Sequence, residues 1–433
     1  MIKSIGIRRE DKCKWEKRVA ITPCGIKKLS EQGIKIKAQP SPIRCYTDQE
    51  LKKVGVEVKE NLRDCDLLIG VKEMPINFIQ SNKPHLFFSH TIKGQPYNMP
   101  LLKTILERKA TLLDYERIVD EKGQRLIAFG RFAGLAGIID TLAILGRRWQ
   151  AQNIENPLSK VLFSHEYLNL EEAKQCIKKI GEDLQKNGLP DGVDSFTVGV
   201  PGYGNVSKGV QEILELLPME KITPQKLLNN NNKKIAYVIF KEEDIVTPKD
   251  ENTKFELQDY YKNPQNYKPV FAQYLPYFSA IVNTIYWDER YPRLVTLEDL
   301  KKLYADIKNP RLQVIGDISC DIQGAVECTM KTTTPDNPAF VFNAEKENIV
   351  DGWLGEGVAI LAVDILPAEF SKDASEFFSA LLTPMLEEMK KSDFSSTLAN
   401  SGLPETLKNS TIVWKGELTP QYKHLEKYLE ELD

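Results

Sequence analysis

Ser195-Phe196-Thr197-Val198-Gly199-Val200-Pro201-Gly202-Tyr203-Gly204-Asn205-Val206-Ser207-Lys208-Gly209 is the stretch on which the fold turns. Residues 195–200 form a short, mainly apolar run of the kind that becomes a fully buried parallel strand. An amphipathic pattern over 206–217 predicts a helix directly after it. Between them, Gly202 can make a tight turn, and Gly204 lets the backbone approach a pyrophosphate at the helix N-terminus. The usual third glycine is replaced by Ser207, small enough to pack closely. No acidic residue ends a clear second strand about twenty residues on. That region reads Lys221-Ile222-Thr223-Pro224, which weakens the case for NAD and leaves NADP open. A glycine turn that binds no nucleotide would carry the same letters.

Outward from this motif, short apolar runs alternate with helical patterns. Strands are expected at 2–7, 34–38, 66–71, 85–89, 110–114, 280–286 and 313–318. Thr22-Pro23 is a helix start with proline at the first helical position, and Gly33 ends that helix. Further helices are expected at 48–54, 97–108, 132–150, 170–187 and 372–391. Alanine or glycine at 133, 134, 136 and 137 permits close helix packing. The segment 229–275, with its asparagine run 229–232 and many Lys, Asp and Tyr, reads as a surface excursion. The alternation predicts an α/β protein.

A chain of 433 residues suits two domains of ordinary size. A formal net charge of -3 gives no electrostatic footprint for nucleic acid or an anionic membrane. Seven scattered cysteines without a CxxC pair, and four histidines without an HExxH pair, argue against a disulfide framework or a metal site. The N-terminal residues have neither the apolar core of a signal peptide nor the composition of a transit peptide, so a cytoplasmic location is expected, with the mitochondrial matrix as the alternative. Small molecules are the expected partners.

Several polar residues stand just past predicted strands, where open parallel sheets bind ligands. Lys72, in Gly70-Val-Lys-Glu-Met-Pro75, and His90, in Phe87-Phe-Ser-His-Thr-Ile-Lys93, suit proton transfer; a surface lysine and a capping histidine are the plainer reading. Arg125 could fork onto a carboxylate, or be the solvated arginine of a hairpin. Asp114 ends a strand. Asp317 and Asp321 could fix an amine-bearing substrate, or cap helices.

Taken together and in this order, the motifs resemble the lysine-ketoglutarate reductase half of the bifunctional aminoadipic semialdehyde synthases. Ala128-Phe-Gly-Arg-Phe-Ala-Gly-Leu-Ala-Gly137, Asn283-Thr-Ile-Tyr-Trp-Asp288 and Thr332-Thr-Thr-Pro-Asp-Asn-Pro338 add to the likeness. The chain is similar, more distantly, to the fungal lysine-forming saccharopine dehydrogenases, to alanine dehydrogenase and to the NAD-binding transhydrogenase subunit. The resemblance implies two Rossmann-like domains with parallel sheets flanking a cleft and linked by long helices. The first is expected at 1–138 plus about 366–433. The second, dinucleotide-binding, is expected at 139–365 with an insertion at about 225–275. It implies Lys72 and His90 as catalytic residues and Arg18 and Arg125 as substrate-carboxylate contacts; the aspartates at strand ends, Asp114, Asp317 and Asp321, are expected as further substrate contacts. Gly202, Gly204, Asn205, Val206, Ser207 and Asn283 would hold the cofactor, with NADPH ahead of NAD and no metal. The implied reaction joins L-lysine and 2-oxoglutarate as saccharopine. A separate glutamate-forming dehydrogenase would be the partner enzyme. An NAD-dependent lysine-forming or other opine- or alanine-type dehydrogenase is the alternative, and a non-catalytic cofactor-binding regulator the third reading.

Overall fold

The computed structural model of the chain describes residues 1–229, 235–307 and 309–430. Its contacts divide it into two units, Met1–Phe129 with Ser371–Asp433, and Gly130–Phe370. Each is an α/β unit built on an eight-stranded, mostly parallel sheet.

In the first unit the sheet runs in the order Glu417–Leu418, Thr411–Trp414, Thr111–Asp114, Pro84–Phe87, Leu67–Ile69, Ser4–Ile7, Lys35–Ala38, Glu57–Val58. The middle strands are short and buried along their whole length, which is why their sequences are continuous apolar runs rather than alternating ones. The helix Pro23–Glu31 begins after extended Thr22, as the Thr-Pro pair predicts. The C-terminal segment returns to this unit twice. Strand Thr411–Trp414 pairs antiparallel with Thr111–Asp114. Helix Ser371–Met389 packs on Pro23–Glu31, where Ser379 Oγ accepts from Thr22 N at 3.0 Å and Ser375 Oγ accepts from Val19 N at 2.9 Å.

In the second unit the order is Asn348–Asp351, Ala339–Asn343, Val358–Leu361, Val314–Asp317, Ala280–Asn283, Phe196–Pro201, Ile235–Phe240, Glu220–Ile222. The long helix Gly130–Ala151 belongs to this unit from its first residue and is buried on nearly every face. Helix Asn205–Leu214 lies against it at backbone contact. A β-carbon on Gly134 would overlap the Val206 carbonyl oxygen, and one on Gly209 the Arg131 carbonyl oxygen. Close packing therefore rests on Gly134 and Gly209, while the fingerprint's third position, Ser207, is itself fully buried.

One expectation fails here. The described part of this stretch from 235 to 275 is not a surface excursion. Ile235–Phe240 is an interior strand, paired with Phe196–Pro201 on one side and Glu220–Ile222 on the other. Tyr260, Tyr267, Phe271 and Tyr274 beyond it are buried in the unit's core. The polar letters between these apolar anchors belong to turns and to exposed faces, and they outnumber the anchors, so composition misleads. The asparagines at 230–232 lie outside the described residues. Among the described residues no helix is long and apolar enough to cross a membrane.

Candidate functional site

In the first unit the carboxyl ends of adjacent parallel strands bring a charged cluster together. Lys72 follows strand Leu67–Ile69 and His90 follows Pro84–Phe87. His90 has a left-handed backbone, φ 53°, a conformation uncommon outside glycine that points to a constrained site. Its Nδ1 lies 2.6 Å from Glu73 Oε1. An ionised carboxylate can only accept, so Nδ1 carries the proton and Nε2 is left for other work. The loop before His90 is tied down by Asp114, which is fully buried and accepts from Ser89 N at 3.0 Å, from Ser89 Oγ and from Glu116 N at 2.8 Å. Asp114 therefore holds the loop that carries His90. Arg18 is buried beneath this cluster and forks onto Glu16, with Nε to Oε1 at 2.8 Å and Nη2 to Oε2 at 2.5 Å. Its guanidinium sits 4.2 Å from the centre of the Phe129 ring. Arg125 is half-exposed on the Val119–Arg125 bridge and pairs with buried Glu116.

The electrostatics of the cluster favour proton exchange. Burial lowers the Lys72 ammonium, and the neighbouring Arg18 charge lowers it further, against Glu16, which raises it. Burial alone would raise Glu73, but the hydrogen bond from His90 and the nearby positive charges bring it down to about 2. Glu10, three residues past strand Ser4–Ile7, accepts from Val71 N at 2.7 Å and Lys72 N at 3.0 Å. Burial, with Glu16 nearby, pushes it up to about 7. Glu10, Glu16 and Glu73 were not singled out from sequence. Glu73 sat inside the quoted Lys72 motif, and Glu10 follows the first strand, so the strand-end rule that found Lys72 would have found both.

In the second unit the strands Phe196–Pro201, Ile235–Phe240 and Ala280–Asn283 end along one edge of the sheet. The chain passes from the first of these strands to one side and then to the other, which makes this edge a topological switch point. A cavity of about 470 Å³ opens there, lined by Gly202, Gly204, Glu242, Thr284 and Trp287 among others. Gly202 has φ +98°, and a β-carbon on it would stand 2.6 Å from Thr284 Oγ1; one on Gly204 would meet open space. Asn205 and Val206 start the following helix. This combination fits a dinucleotide, with the turn at Gly202 and free room beside Gly204 for a diphosphate.

Two other expected contacts are committed inside this unit. Asp317 is fully buried and accepts from Asn283 Nδ2 at 2.9 Å, Ser319 Oγ at 2.7 Å and Thr329 Oγ1 at 2.7 Å. Asn283 is fully buried with it, so both side chains brace the strand ends. Asp321 is exposed in the turn that follows. The second strand also differs from its expected place. The neighbour of Phe196–Pro201 is Ile235–Phe240, and Lys241-Glu242 follows that strand, not the Lys221-Ile222-Thr223-Pro224 region. The intervening Glu220–Ile222 is a three-residue edge strand.

Residues 6–136 match the family model for the alanine dehydrogenase/PNT N-terminal domain. The chain is 36% identical to alpha-aminoadipic semialdehyde synthase of Arabidopsis thaliana, over 98% of its own length but only 41% of that protein's. It therefore spans less than half of that relative. It is 26% identical to the saccharopine dehydrogenase [NAD(+), L-lysine-forming] of Emericella nidulans, covering 89% of this chain and 92% of that one. Among solved structures it shares its fold with an L-alanine dehydrogenase, at a TM-score of 0.61 and 13% identity, over 99% of this chain and 100% of that one. Residues 6–136 thus resemble the alanine dehydrogenase/PNT N-terminal domain, and along nearly its whole length the chain is similar to one segment of the alpha-aminoadipic semialdehyde synthases.

Proposed function

We propose that the protein is a nicotinamide-dinucleotide-dependent oxidoreductase of lysine metabolism that condenses L-lysine with 2-oxoglutarate and reduces the product to saccharopine. The observation that carries this reading is the cluster of Lys72, His90, Glu73, Arg18 and Glu16 at the strand ends of the first unit. It combines a fixed histidine, a lysine biased toward its neutral form and an arginine suited to a carboxylate.

Lysine's ε-amine attacks the keto carbon of 2-oxoglutarate, the carbinolamine loses water, and an imine results. When bound, the nicotinamide supplies the hydride that turns this imine into the secondary amine. Glu73 fixes the His90 ring so that Nε2 exchanges the proton at the carbinolamine oxygen. Lys72, its ammonium destabilised by burial and by Arg18, takes the proton from the attacking nitrogen. Each such proton transfer contributes on the order of 10²–10⁴-fold. The fork to Glu16 uses Nε and Nη2 of Arg18, leaving Nη1 to receive a substrate carboxylate. Arg125, half-exposed, receives a second one, and together they orient the substrates. Asp321, on its exposed turn, is assigned to the substrate amine, whereas Asp114 and Asp317 act by holding the loops around them. The second unit binds the dinucleotide through Gly202, Gly204, Asn205 and Val206. Resemblance to the reductases puts NADPH first as the donor.

The test is loss of reduced-nicotinamide absorbance. Loss that requires lysine and 2-oxoglutarate together, and that is abolished in His90→Gln and Lys72→Met, is the expected result. Full turnover in both variants would refute the residue assignment. Turnover with a different amine or oxo acid would move the protein to the opine- or alanine-type dehydrogenases.

A further inference from the structure

The cavity at the second unit's switch point has a wall whose chemistry is independent of the glycine turn. Strand Ile235–Phe240 runs parallel to Phe196–Pro201 with Pro201 opposite Phe240, and Gly202 N donates to Phe240 O at 2.9 Å. Whatever follows Phe240 therefore stands beside the glycine turn, although it is nearly forty residues away in sequence. The residue presented there is Glu242. Its Oε1 accepts from Tyr261 Oη at 2.8 Å and from Tyr203 Oη at 3.4 Å, while Oε2 accepts no hydrogen bond among the described residues. Two phenols thus hold the carboxylate in place, and burial and the Glu242 charge keep both phenols protonated as donors. In a dinucleotide fold the end of the strand beside the glycine turn meets the adenosine ribose. An acidic side chain there accepts from the 2′-hydroxyl, whereas an arginine accommodates a 2′-phosphate. Arg293 also lines the cavity; its Nη1 donates to Glu327 Oε1 at 2.6 Å and its Nη2 to the Gln323 carbonyl at 3.0 Å, while its Nε is buried without a partner among the described residues. Lys241, the remaining cation of this strand end, has Glu243 as its carboxylate partner, at 3.9 Å.

We infer that Glu242, braced by Tyr261 and Tyr203, takes the 2′-hydroxyl of the adenosine ribose and repels a 2′-phosphate, so that this chain selects NAD(H) over NADP(H). The inference rests on the dinucleotide reading of the second unit and runs against the donor that resemblance implies.

The experiment is direct binding to the whole chain, by calorimetry, of NADH, NADPH, 5′-AMP and 2′,5′-ADP, without amine or oxo acid. A hydrogen bond to a charged group is worth a factor of roughly 10–100 in affinity. NADH should bind tighter than NADPH by that factor, and 5′-AMP tighter than 2′,5′-ADP in the same sense. Glu242→Gln should narrow both ratios, with the melting temperature showing that it is folded. The wild-type ratios decide the matter even if that variant fails to fold. Equal or tighter binding of NADPH and 2′,5′-ADP overturns the assignment to Glu242 and leaves the dehydrogenase reading intact. Absence of binding by either dinucleotide overturns both.

Discussion

Consider Glu73→Gln. The carboxyl is held at about 2 against an ordinary 4.5, which corresponds to about 3 kcal/mol of preference for the ionised form. With the Glu73 side chain 18% exposed and that of His90 30% exposed, solvent screening makes this a ceiling. Glutamine keeps the shape but reverses the logic of the bond. If its amide nitrogen faces the ring, Nδ1 must accept, and Nε2 then carries the proton that the mechanism needs it to receive. If its oxygen faces the ring, the tautomer survives but the carboxylate charge beside the ring is gone. Either way the variant should lose the histidine's share of acid–base catalysis, on the order of 10²–10⁴-fold in kcat. Dinucleotide affinity should stay unchanged, because the residues assigned to it belong to the other unit. The sign of the pH effect follows from the lowered value. The stabilisation by ionised Glu73 is complete above the ordinary carboxyl range and is lost as pH falls from about 4.5 toward 2. Between pH 6 and 9 the variant's deficit should therefore show no titration of this carboxyl. The assay is steady-state turnover with lysine and 2-oxoglutarate across that range, with separate dinucleotide titration. A kcat within threefold of wild type would refute the role given to the pair, and so would an equal loss of dinucleotide binding.

Two further expectations concern the second unit. Gly202→Ala places a β-carbon at φ +98° and 2.6 Å from Thr284 Oγ1; it should cost about 1–3 kcal/mol of stability and abolish NADH binding, whereas Gly204→Ala should keep the wild-type melting temperature. Glu369 is pushed up to about 8 by burial, beside buried Asp140, which burial and the Glu369 charge also raise, and His165, whose Nδ1 lies 3.8 Å away. The folded state therefore holds a proton there that the unfolded chain releases. Stability should fall by about 1 kcal/mol per pH unit as pH rises from 4.5 toward 8. Glu369→Gln should flatten that slope in urea unfolding, and an unchanged slope would show the carboxyl to be irrelevant.

The alternation of strand and helix was legible because a strand buried on both faces must be apolar along its length, and because Thr22-Pro23 and Gly33 mark a helix start and end by local geometry alone. The glycine turn was legible for the same reason: a positive φ at Gly202 is a local requirement. Strand Ile235–Phe240 is a continuous apolar run, Ile-Ala-Tyr-Val-Ile-Phe, and it was missed because the polar residues on either side of it dominate the composition of 229–275. Its rank as neighbour to Phe196–Pro201 is a matter of long-range pairing.

The sequence by itself determined the fold class, the turn at Gly202 and the strand-end positions of Lys72 and His90, since each follows from neighbours within a few residues. Only the tertiary structure decided which of these groups work together. It gave Glu73 to His90 and Glu16 to Arg18, committed Asp114, Asp317 and Asn283 to internal bracing, and joined Tyr203, Glu242 and Tyr261 into one wall. The last three come from separate segments that meet only when parallel strands pair. Hydrogen-bond partners and burial set what a carboxylate or an arginine can do, and neither is a property of the letter itself.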